Sequence, residues 1–174
     1  MKKTIYPALI AIVICTSAFT VINSLNWKVK EDSYSIKFTG KKVEGIFKEL
    51  KANILFDEAN PSNSKISATI NAASANTGNG MKNKHVGEGL DADKYPTIKF
   101  ESTSVIKKGS SYEAIGKLTM KDVTKEITLP FTFENKGEEG VFSGKFSVVP
   151  KDYNVTKMGT PDLVEIQLTV PVTK

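Results

Sequence analysis

The sequence predicts an all-β fold of about eight antiparallel strands running up and down a barrel, with one or two short helices at one end. Three observations predict it. From Trp27 onward the dominant hydropathy period is two, the mark of strands that bury one face. The alternating runs are joined mostly by short turns, with no helices of the spacing that parallel crossovers need. A single long stretch, Gly78 to Lys94, breaks the alternation. Antiparallel strands of this length either stack as a sandwich or close on themselves, and closure removes the exposed edges.

Taken in order, Tyr34, Ile36 and Phe38 alternate with Ser33, Ser35, Lys37 and Thr39. Val43 and Phe47 then occupy odd positions, whereas Leu50, Ala52, Ile54 and Phe56 occupy even ones. That phase change near Lys48 and Glu49 predicts a bulge or a short helical turn. Ile66, Ala68 and Ile70 resume the pattern after Asn60-Pro61-Ser62-Asn63, and Ile98 and Phe100 follow Tyr95-Pro96. Four clear rows complete the chain: Tyr112 to Met120, Val123 to Phe133 beyond the Lys121-Asp122 turn, Phe142 to Val148, and Val164 to Val172. Pro130 and Pro171 fall on the polar-facing set, where a missing N–H points to an edge, a bulge or a strand end. Met81, His85, Val86 and Leu90, spread among polar residues between Gly78 and Lys94, read as one or two short helices across an end of the sheet.

Before Trp27 lies a different kind of segment. Lys2 and Lys3 precede an apolar run from Ile5 to Cys15, followed by Thr16, Ser17 and Ala18. This is the order of a secretory signal, and the run is short of the ~20 residues that span a bilayer. The expected organisation is a cleaved signal peptide at 1–18 and a single barrel domain at 19–174, working in the periplasm or secreted. Removing 18 of 174 residues leaves 156, and losing two Lys and no acid lowers the charge from +5 to +3. An uncleaved anchor and a lipid attached through Cys15 are the alternatives; Ile14 stands where lipoproteins carry a small residue.

Composition excludes several functions. All 24 basic residues are Lys, so no guanidinium fork is available for guanine edges, and a pI near 9.1 does not argue for nucleic acid. One His and one Cys cannot supply an ordinary Cys/His zinc site. His85 with Glu88, Asp91 and Asp93 is the one cluster that resembles a metal site, yet a solvated charge run with a locally hydrogen-bonded His accounts for it better. Gly78-Asn79-Gly80 lacks the rest of a phosphate loop, and no Ser sits in a nucleophile elbow. No cofactor and no catalytic residue are called for. Lys residues near a barrel mouth could attract an anionic head group as point charges.

Several landmarks carry a family resemblance. They are Trp27 with Ser35-Ile36-Lys37-Phe38, Gly45-Ile46-Phe47, Ala73 to Thr77, Met81 to Val86, Lys94-Tyr95-Pro96-Thr97-Ile98-Lys99-Phe100, Gly116-Lys117-Leu118-Thr119, and Lys151-Asp152-Tyr153. With them the chain resembles the YceI-like, polyisoprenoid-binding family of exported bacterial proteins. It departs from the family where Arg-Asp is common before the His, having Lys82-Asn83. The resemblance implies a lipocalin-like antiparallel barrel and a binding protein, not an enzyme, holding an isoprenoid, quinone or fatty-acid-like lipid for transport, storage or stress response. The residues expected to line the interior are Phe38, Phe47, Ile54, Phe56, Ile70, Phe100, Leu118, Met120, Phe131, Phe133, Phe142, Phe146 and Ile166. A ligand-free barrel filled by its own side chains and a metal-dependent enzyme built on His85 are the competing readings. A membrane-surface encounter and a dimer stay open.

Overall fold

The computed structural model describes residues 26–174; the leader expected at 1–18 lies outside them. In chain order the elements are β1 (Asn26–Val29), β2 (Ser35–Gly40), β3 (Val43–Phe47), β4 (Leu50–Leu55), β5 (Lys65–Asn71), β6 (Ala75–Asn76), α1 (Gly80–Leu90), β7 (Thr97–Lys108), β8 (Ser111–Met120), β9 (Val123–Lys136), β10 (Glu139–Val148) and β11 (Val164–Thr173). Neighbours pair in the order β1, β4, β5, β7, β8, β9, β10, β11, and β11 pairs back onto β1 through Lys28–Thr173 and Val29–Val172. The expected eight-stranded antiparallel barrel is therefore present and closed.

Two of its staves are broken. β2 extends the line of β1 along β11, and β3 extends that of β4. The second break falls at Lys48 and Glu49, where the alternation changes phase. No helical turn forms there. Instead the backbone groups that leave the ladder are met by side chains and, at the Glu49 carbonyl, by the Asn71 N–H at 3.1 Å. The Tyr34 hydroxyl donates to the Lys48 carbonyl and accepts from the Leu50 N–H at 2.9 Å. The Ser74 hydroxyl accepts from Lys48 N and Glu49 N, each at 3.2 Å. The break lets β3 lean away from β5 and pair with β6 instead.

The prolines mark where ladders stop. β9 pairs with β10 only from Phe131 to Lys136, so Pro130 is the first residue beyond that ladder. Pro171 stands between Thr169, which faces β2, and Val172, which faces β1. Each lies where a strand lacks a continuous partner on one side, so its missing N–H costs little. Lys121 and Asp122 both adopt positive φ, 49° and 59°, the twist that a tight two-residue hairpin needs between β8 and β9.

One helix, not two, occupies the aperiodic stretch. Asn79 caps α1 by accepting from Lys82 N at 3.0 Å, and Asp91 ends it in the left-handed region at φ 53°. α1 lies at the end of the barrel where β8 turns into β9 and where the segment after β10 crosses. Lys121 Nζ ties these together, donating to the carbonyls of Asn154 at 3.0 Å and Gly89 at 3.4 Å.

Candidate functional site

The register across the sheet determines what faces inward. Ala52 pairs with Ala68, Ala68 with Phe100, and Phe100 with Leu118, one belt across four strands. On the opposite wall Phe146 pairs with Ile166 and Ile166 with Phe38. Small side chains beside large ones leave a cavity of about 480 Å³, a size that accommodates a small-molecule ligand. Its wall is aliphatic and aromatic for nearly its whole length.

The cavity has a floor and a mouth. The floor is an aromatic plug at the end where β4, β7 and β9 finish. Phe56 meets Tyr112, Phe133, Phe142 and Phe131 at centroid separations of 5.0, 5.1, 5.3 and 5.6 Å, each edge to face. Trp27 closes the outer side against Phe133 at 4.9 Å. The Trp27 indole N–H is buried without a hydrogen-bond partner among the described residues. Burial pushes the Tyr112 hydroxyl pKa above its ordinary value, with the Glu58 carboxylate adding to the rise.

Of the thirteen side chains expected inside, Phe38, Phe47, Ile54, Ile70, Phe100, Leu118, Met120, Phe131, Phe142, Phe146 and Ile166 line the cavity. Phe56 and Phe133 do not. Both point inward, as their parity requires, but at the level of the plug, where other aromatic rings fill the space around them. Of the small residues, Ala52, Ala68, Ala114 and Gly144 open onto the cavity. Gly116 has another reason: a Cβ there would lie 2.4 Å from the Glu101 carbonyl, because β7 bulges against it between Ser102 and Ser104.

Sequence periodicity in the strands does not reveal the mouth. α1 presents Lys82, His85, Val86, Gly89 and Leu90 to the cavity, spaced i, i+3, i+4, i+7 and i+8, a helical signal present in the chain but short and weakly apolar. Lys42, from the turn between β2 and β3, and Val155, Lys157 and Met158, from the segment after β10, complete the rim. Lys157 is ion-paired with Glu88, whose carboxyl is held below its ordinary pKa chiefly by that hydrogen bond. With Glu88 taken by Lys157 and Lys84, and Asp91 ending the helix, the residues around His85 do not converge. No group of three or more His, Cys, Asp and Glu side chains among the described residues could hold a metal ion.

An eight-stranded barrel of this kind has counterparts among known proteins. The model of the YceI-like domain matches residues 27–173. The chain belongs to the YceI-like family. Protein YceI of Salmonella newport is 32% identical, the match covering 85% of this chain and 78% of that protein. Among solved structures, Burkholderia cenocepacia BcnA superposes with a TM-score of 0.78 at 28% identity, over 84% of this chain and 100% of that one. A polyisoprenoid binding domain from Saccharophagus degradans shares the fold at a TM-score of 0.60 and 11% identity, over 85% of this chain and 97% of its own. The YceI-like match begins at Trp27, beside the plug, and ends at Thr173, whose neighbour Lys174 stacks its ammonium 5.2 Å from the Trp27 ring. The family unit is thus the closed barrel itself.

Proposed function

We propose that this YceI-like protein is an exported binding protein that holds one long apolar amphiphile, a polyisoprenoid, an isoprenoid quinone or a fatty-acid-like lipid, in its barrel. The observation that carries this reading is the cavity of about 480 Å³, apolar from plug to rim and reached at one end. Such a shaft favours a chain over a compact ligand, because each buried CH₂ contributes ~0.8 kcal/mol and no polar group on the wall has to be matched. Tail recognition of this kind is tight and unselective. The Saccharophagus degradans domain, with the same fold, supports an isoprenoid as one candidate tail. Export to the periplasm or beyond rests on the leader-like order of residues 1–18. The role downstream of binding is carriage, storage or scavenging, with no chemistry asked of the chain.

Uptake of a fluorescent isoprenoid tests the reading. The native protein should take it up saturably. Ala68→Phe, which fills the middle of the shaft beside Phe100, should weaken uptake on the order of tenfold or more while the barrel stays folded. Absence of uptake would favour a barrel filled by its own side chains, and uptake indifferent to Ala68→Phe would place the bound lipid outside the shaft.

A further inference from the structure

The charges that touch the cavity are all of one sign. Lys42, Lys82 and Lys157 reach its rim, His85 adds a ring N–H, and no Asp or Glu lines it. Lys157 is neutralised by Glu88, which lies off the lining. Lys42 and Lys82 are different, because among the described residues neither has a carboxylate within the 4.0 Å of an ion pair, whereas nine other contacts of that kind are formed across the surface. The two come from separate elements. Lys42 sits at positive φ, 68°, at the tip of the β2–β3 turn, and Lys82 lies in the first turn of α1. Lys82 and His85 also share one helix face with Val86, Gly89 and Leu90. That stripe is apolar over the shaft and basic at its rim, the polarity of an amphiphile whose tail is inside and whose head is at the mouth.

We infer that the mouth selects amphiphiles carrying an anionic head group, a phosphate or a carboxylate, over neutral ones with the same tail. The inference rests on the lipid-binding reading above. Lys42 and Lys82 act as two point charges, which Lys supplies without the bidentate geometry of Arg. Both are exposed, so the preference is moderate and screened by salt.

Calorimetric titration of the purified protein with geranylgeraniol, geranylgeranyl monophosphate and geranylgeranoic acid, which differ only at the head, tests this. The phosphate should bind about tenfold tighter than the alcohol at low ionic strength, the carboxylate should fall between them, and the gap should narrow as salt is added. Lys42→Gln with Lys82→Gln should close most of the gap between the anions and the alcohol. Lys65→Gln, on an exposed Lys at the plugged end, should leave the gap as it is. Equal affinities for all three ligands, or a gap that survives the double substitution, would overturn the inference and leave the lipid reading standing. If none of the three binds, the lipid reading itself falls and takes the inference with it.

Discussion

Gly116 shows how much one missing methyl can specify. The bulge in β7 brings the Glu101 carbonyl to 2.4 Å and the Ser102 Cα to 2.8 Å from where its Cβ would be. Both neighbours are backbone, so neither can swing aside. Gly116→Ala should destabilise the barrel by about 2 kcal/mol or more, read as a lower denaturation midpoint at unchanged slope. A second effect at this scale concerns pH. Tyr112 and Tyr153, 5% and 3% exposed, both have hydroxyl pKa values raised, first by burial and then by a nearby carboxylate. Below about pH 10 these tyrosines are protonated folded or unfolded, and contribute no pH dependence. Above it the unfolded chain loses their protons first, so stability falls as pH rises. Thermal melts from pH 8 upward should therefore decline beyond about pH 10, and Tyr112→Phe and Tyr153→Phe should each flatten that decline relative to the native chain.

At the scale of the element, the strand most exposed to failure is β9. Its upper part, Val123 to Pro130, is paired with β8 alone and its lower part, Thr132 to Lys136, with β10 alone; Phe131 is the one residue paired on both sides. The backbone N–H groups of that upper part which point away from β8 have no ladder partner. In native-state hydrogen exchange they should exchange far faster than those of β8, which is paired with β7 on one side and β9 on the other. Protection of these groups equal to that of β8 would contradict the splayed arrangement. Pro130 is the visible trace of this in the sequence, since a proline on a long alternating strand marks the end of one ladder. The alternation likewise exposes every long strand and the phase change at Lys48, because a buried face has to repeat every second residue. It does not tell a bulge from a break, since both shift the parity by one. The difference was made by Tyr34 and Ser74, whose hydroxyls are distant in sequence from the groups they satisfy. The same limit applies to α1: five residues face the cavity, but only Val86 and Leu90 are large and apolar, so the helical stripe is faint.

For the whole molecule, parity says which residues point inward and leaves open how deep each one lies. Phe131 and Phe133 have the same parity on the same strand, yet the first lines the cavity and the second belongs to the plug. Depth depends on how the strands stagger when the barrel closes, a property of the pairing of β1 with β11 and not of any one strand. The register of β4 on β5 sets the small residues Ala52 and Ala68 side by side, and closure of β11 onto β1 encloses the space they leave. On the function proposed, this space is the lipid site. The decisive measurement is native mass spectrometry of the protein purified from its own host, followed by extraction and analysis of whatever it carries. A lipid-filled shaft gives a population heavier than the apoprotein by one long-chain amphiphile, lost on extraction and diminished in Ala68→Phe. A native protein that is apoprotein alone, before and after extraction, and that takes up no added isoprenoid would contradict it.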